Sequence, residues 1–117
     1  EVIENTLSEI SRILMPGGQI IGTVPAREKI NEQLVICPNC AKHFHRWGHV
    51  QTFDSNRIQT LLAKYFKVEE VFERPFITWS TLNWKGKALS LFKTILYFMG
   101  IHGSNENIIF IASKPCV

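Results

Sequence analysis

Between residues 37 and 49 the chain reads Cys37-Pro38-Asn39-Cys40-Ala41-Lys42-His43-Phe44-His45-Arg46-Trp47-Gly48-His49. Two thiols three apart can wrap one ion from a tight turn, and two imidazoles four apart can reach the same ion from a compact loop. Sulfur and imidazole together suit Zn²⁺, whose borderline softness accepts both in a tetrahedral set. Cys37, Cys40, His45 and His49 give the spacing C-x2-C-x4-H-x3-H. With His43 in place of His45 it becomes C-x2-C-x2-H-x5-H, and that alternative stays open. Four protein ligands leave no position for water, so such a zinc orders the loop and does not hydrolyse anything. The competing readings are a redox CxxC pair and a chance meeting of buried thiols with surface histidines. A redox pair usually sits at the start of a helix after a strand, whereas here further ligand residues follow. Cys116, in the tail, reads as a lone thiol.

Other chemistries are excluded by what is missing. Of the ten acidic residues only Asp54 is an aspartate, so no calcium loop or Asp-clustered magnesium site can be assembled. The seven glycines form neither GxGxxG nor GxxxxGK[ST], so there is no dinucleotide or P-loop phosphate cradle. No catalytic residue stands out by type and spacing.

The elements that must position the Cys/His run follow from periodicity. Ile3, Thr6, Leu7, Ile10, Ile13 and Leu14 form one helical face, which predicts a helix over 1–15 that stops at Met15-Pro16-Gly17-Gly18. Gln19 to Val24 is short, β-branched and bounded by Gly-Gly and Pro25, which predicts a buried strand covered on both faces. Residues 26–52 have poor periodicity and form the insertion that holds the cysteines and three of the four histidines. Asp54 is an N-cap with Phe53 and Ile58 in the staple positions, and Ile58, Leu61, Leu62, Tyr65 and Phe66 predict a helix over 55–65. Lys67 to Arg74 reads as a strand with imperfect alternation, 75–85 as loop, 87–101 as an apolar packed helix, and 107–112 as a last strand. Gly103-Ser104-Asn105 reads as a turn.

A chain of 117 residues fits a single domain, 1–117. With 45% apolar and 20% charged residues it is globular in composition. The net charge of +3 divides into −1 over residues 1–73 and +4 over 74–117, where Glu106 is the lone acid. No signal peptide is evident, so cytoplasm is the expected compartment.

The run Ile10 to Pro25, with Arg12-Ile-Leu-Met-Pro16-Gly17-Gly18 at its centre, resembles the segment of class I S-adenosylmethionine-dependent methyltransferases in which a helix leads into the fifth strand. Phe44 to Asp54, Phe-His-Arg-Trp-Gly-His-Val-Gln-Thr-Phe-Asp, resembles a subset of those proteins with a Cys/His insertion after that strand. Glu1-Val2-Ile3-Glu4 imitates a motif found earlier in the family, but its helical spacing assigns it to the first helix.

The resemblance implies an α/β, partial Rossmann-like methyltransferase fold: a three-stranded sheet with helices plus a zinc-binding loop. The last strand would run antiparallel between the other two. It also implies that the glycine-rich loop and acidic residue that bind S-adenosylmethionine lie before residue 1. No cofactor-binding residue is then carried over, and the piece alone would be inactive. The insertion would sit on the acceptor side, with His43, Arg46 or Trp47 facing the acceptor, and an exposed sheet edge would favour self-association. Two other readings fit the same residues. One is a zinc-binding interaction module gripping single-stranded nucleic acid through Phe44 and Trp47 beside Lys42 and Arg46. The other is a membrane-peripheral protein resting on Lys85, Lys87 and Lys93.

Overall fold

The structure is a computed structural model and describes residues 2–75, 77, 79–101 and 106–116. In chain order it contains α1 (Val2–Ile13), β1 (Gln19–Pro25), a 3-10 turn (Ile30–Gln33), β2 (Leu34–Ile36), β3 (His43–His45), α2 (Ser55–Ala63), β4 (Lys67–Pro75), a second 3-10 turn (Trp79–Thr81), α3 (Trp84–Phe98) and β5 (Glu106–Ser113). The fold is mixed α/β, with a three-stranded sheet ordered β1-β5-β4 and a separate β2-β3 hairpin. β5 runs antiparallel to both neighbours, so β1 and β4 point the same way without touching.

One face of the sheet carries the core. Leu7 from α1, Ile58 and Leu62 from α2, and Ile108 and Ala112 from β5 are buried together, with Ile3, Ile10, Leu14 and Val71 packed against them. Of the stripe that periodicity predicts for α1, Ile3, Leu7, Ile10 and Leu14 face the core while Thr6 and Ile13 at its edge are exposed, and α2 begins as its cap dictates: the Asp54 carboxylate accepts from the Arg57 N–H at 2.7 Å. The Lys64 ammonium meets the Glu4 carboxylate at 2.6 Å and ties α2 to α1. After α1 the chain turns at Gly17, whose φ is +77°, and backbone hydrogen bonds between Gly17, Gly18 and Lys114 latch the turn to the end of β5.

Several expectations are corrected. β1 is covered on one face, not two: its residues alternate, and Ile21 is 69% exposed on the face opposite the helices. The imperfect alternation of β4 has a cause, a bulge between Val68 and Glu70 that shifts the register by one residue. Residues 26–52 are not irregular throughout but contain the hairpin. α3 starts at Trp84, within the span expected to be loop, because the Asn83 side chain caps it by accepting from the Gly86 N–H at 2.9 Å. It buries none of its residues, so it is not the packed helix expected. The turn expected at 103–105, and Phe76 in the 75–85 loop, lie outside the described residues. No helix among the described residues is long and apolar enough to cross a membrane.

Gly22 stands directly opposite Phe110, and the Phe110 ring lies across it: a Cβ there would come within 2.3 Å of the ring. The ring has nowhere to go without giving up its place against the core. Gly22→Ala is therefore expected to destabilise the fold by about 1–3 kcal/mol, the usual cost of overpacking, read as a lowered denaturant midpoint; an unchanged midpoint would refute this account of the β1–β5 contact.

Candidate metal site and the end of the sheet

The site is built at the carboxyl end of β1. Ala26, 2% exposed, bridges in parallel to Phe53, and the Arg27 N–H donates to the Phe53 carbonyl at 2.7 Å. The Thr52 hydroxyl donates to the Glu28 carbonyl at 2.7 Å. The two ends of the insertion are thereby pinned together, and whatever the intervening residues carry is held beside β1. Within the loop, Leu34 pairs with His45 and Ile36 with His43, and the Arg46 N–H returns to the Gln33 carbonyl at 2.9 Å.

Gly48, at φ +74°, reverses the chain after β3 and brings His49 back over His45. The two rings stack with centroids 5.0 Å apart. Glu28 meets both: its carboxylate lies 2.6 Å from His49 Nδ1 and 3.3 Å from His45 Nε2. One ligand atom from each of the three residues falls within 4.8 Å of the others, a spacing that a metal ion can bridge. His45 is buried, and its Nε2 has no hydrogen-bond partner. Its Nδ1 accepts from the N–H groups of Trp47 and His49, each at 3.2 Å. That places the proton of the neutral ring on Nε2, facing Glu28. Ligation by Nε2 would need the proton on Nδ1, against two amides. Glu28 and His49 are thus the readier donors, and His45 is the residue that must rearrange to join them.

The cysteines lie at the other end of the hairpin. Ala41, at φ +54°, closes the turn, with its N–H on the Cys37 carbonyl at 2.9 Å. Backbone N–H groups of Cys40 and Asn39, and the Cys40 thiol, point at Cys37 and hold its thiol below the usual range. A thiol so placed favours the thiolate, the form that binds metal. Of the sequence-predicted ligands, the structure therefore brings together His45 with His49, and Cys37 with Cys40, but does not join the pairs in one cluster. His43 is exposed, and it lies nearer the cysteine turn than His45 does. Arg46 and Trp47 are also exposed.

Spacing gave no hint of Glu28, because it lies outside the Cys/His run and meets the histidines only through the pinned neck. A second group missed by sequence sits beside it. Arg27, in a left-handed conformation with φ +48°, reaches the Glu73 carboxylate at 2.7 Å and that of Glu106 at 3.4 Å. The Ser55 hydroxyl donates to Glu73 at 2.6 Å. Burial by itself pushes the Glu73 carboxyl up, but the hydrogen bonds from Arg27 and Ser55 outweigh it and hold it below the ordinary range. The same contact raises the Arg27 guanidinium. This clasp joins the ends of β1, β4 and β5 beside a cleft of about 330 Å³ whose lining includes Arg27, Glu28, Lys29, Glu32 and Glu106.

Comparison of the chain with protein-family models, curated proteins and solved structures gave no match.

Because Glu73 is depressed in the folded chain, its stabilisation is present above the unfolded carboxylate value of 4.5 and is lost as pH falls through its folded value. Glu73→Gln is expected to cost about 1 kcal/mol at neutral pH, the scale of a partly screened charged hydrogen bond. The gap to the wild type should close below the carboxylate range. Thermal unfolding followed across pH 3 to 7 checks this, and a gap that stays constant would contradict the clasp.

Proposed function

We propose that these 117 residues form the C-terminal part of a class I S-adenosylmethionine-dependent methyltransferase, with a zinc-binding insertion on the acceptor side, inactive by themselves. The observation that carries this reading is the sheet order: a reversed β5 lodged between two co-directional strands, with β1 entered through the Pro16-Gly17-Gly18 turn. In open α/β sheets ligands gather at the carboxyl ends of the parallel strands. In this chain that end carries the cleft, the Arg27 clasp and the insertion. The uncovered sheet face, where Ile21 stands exposed, is consistent with a sheet that other elements complete. No GxGxxG occurs in these residues, so titration calorimetry with S-adenosylmethionine is expected to give no heat. The DNA directly upstream should encode a Gly-rich loop in frame, and an upstream frame without one would overturn the class.

The zinc is proposed to take Cys37, Cys40, His45 and His49, a reading supported by the thiolate-favouring turn at Cys37. It requires the hairpin tip to close toward the histidines. A second reading places the metal on Glu28, His45 and His49, and the mutual approach of those groups favours it. Metal analysis of the purified chain separates them. Cys40→Ser should drop zinc from one per chain to near zero while Glu28→Gln keeps it; the reverse pattern selects the second reading, and a metal-free wild type that stays folded rejects both. An interaction module is a further reading, resting on the exposed rings of Phe44 and Trp47 beside Lys42 and Arg46; salt-dependent binding of single-stranded RNA would select it.

A further inference from the structure

α3 turns an apolar side to the solvent. Its half-buried residues are Gly86, Ser90, Thr94 and Tyr97, polar or small for the most part, with Leu96 at their border. Its opposite side is apolar and open to solvent: Trp84 is 74% exposed, Phe92 57%, Ile95 50% and Phe98 82%, with Leu91 among them. An apolar stripe of this size facing water marks an interaction surface. The helix spans fifteen residues, roughly 22 Å at 1.5 Å per residue, too short to cross a bilayer.

Charge decides what the stripe meets. From residue 74 to 105 the chain holds Arg74, Lys85, Lys87 and Lys93 and no acidic residue. A second copy packed on this face would bring the same lysines again, with no carboxylate on its helix to offset them. A surface of anionic lipid headgroups satisfies both features. The apolar residues enter the boundary between headgroups and acyl chains, Trp84 takes the interfacial position that indole favours, and the lysine stems run along the apolar surface with their ammoniums at the phosphates. We propose that α3 lies flat on an anionic membrane surface, with Trp84, Leu91, Phe92, Ile95 and Phe98 inserted and Lys85 and Lys87, which flank that stripe on the helix, paired with lipid phosphates. This assignment rests on α3 alone and is independent of the methyltransferase and zinc readings.

The test is co-sedimentation of the purified chain with vesicles of phosphatidylcholine, with and without phosphatidylglycerol. The chain is expected to pellet with phosphatidylglycerol vesicles at low salt, to be released by high salt, and to remain in the supernatant with phosphatidylcholine alone. Indole emission should shift to the blue on binding, and Trp84→Phe should remove most of that shift. Replacing Lys85 and Lys87 together with Gln should weaken partitioning by roughly tenfold or more, given the contribution of each basic residue at such a surface. Phe92→Asp should do the same while the thermal unfolding curve stays in place, since α3 buries none of its residues. Four results would overturn the proposal: a chain that stays in solution with phosphatidylglycerol vesicles; equal binding to both lipids; a Phe92→Asp chain that fails to fold, which would mean the face packs on the body; or a dimer dispersed by Phe92→Asp without vesicle binding, which would assign the face to a second copy.

Discussion

β5 satisfies hydrogen bonds along both of its edges, and without it β1 and β4 have no sheet partner among the described residues. Its inward side chains, Ile108 and Ala112, are fully buried, and α1 and α2 pack over them. The geometry admits little variation. A one-residue slip of β5 would turn Ile108 and Ala112 away from the helices and bring Asn107 toward the core, so burial and register enforce one another. The close pairing of Gly22 with Phe110 adds a steric lock, because only a residue without a side chain leaves room for the ring.

The same strand sets the electrostatics at its start. Glu106 is buried there, and Arg27 reaches it and Glu73 together, so one guanidinium faces carboxylates from two strands. Two acids brought this close would repel each other without a cation between them. Arg27 in turn needs its left-handed backbone to turn the chain out of β1 and into the insertion. The neck formed by Ala26 and Phe53 then fixes where Glu28 stands, and with it the approach of Glu28 to His45 and His49. The loop's candidate chemistry thus depends on how the strand ends are neutralised, more than on regular structure inside the loop.

Most of the helices and strands were legible because their signals are local. The stripe of Ile3, Leu7 and Ile10 repeats at helical spacing, Asp54 caps α2, and Gly17-Gly18 and Pro25 bracket β1. The β2-β3 hairpin was not legible, since three-residue strands are too short for a period-2 pattern to stand out. The exposure of α3 is hidden from the sequence for a different reason: apolar content normally means burial, and only the surroundings reveal that Trp84, Phe92 and Phe98 face outward. At the candidate site, the pairing of Cys37 with Cys40 and of His45 with His49 follows from spacing. The partnership of Glu28 with the histidines does not, because it is created by the neck, through contacts between residues distant in sequence.

The placement of β5 also bears on how the chain is made. The strand that joins the other two is the last of them to be synthesised, so neither β1 nor β4 can form the sheet while the nascent polypeptide is still short of residue 113. Until that moment the apolar stripes of α1 and α2 have no floor to rest on. Assembly must therefore wait until β5 has emerged from the ribosome, which makes the newly emerging chain a natural client for chaperones and leaves the synthesis of that strand, not local helix formation, to time the appearance of the native state.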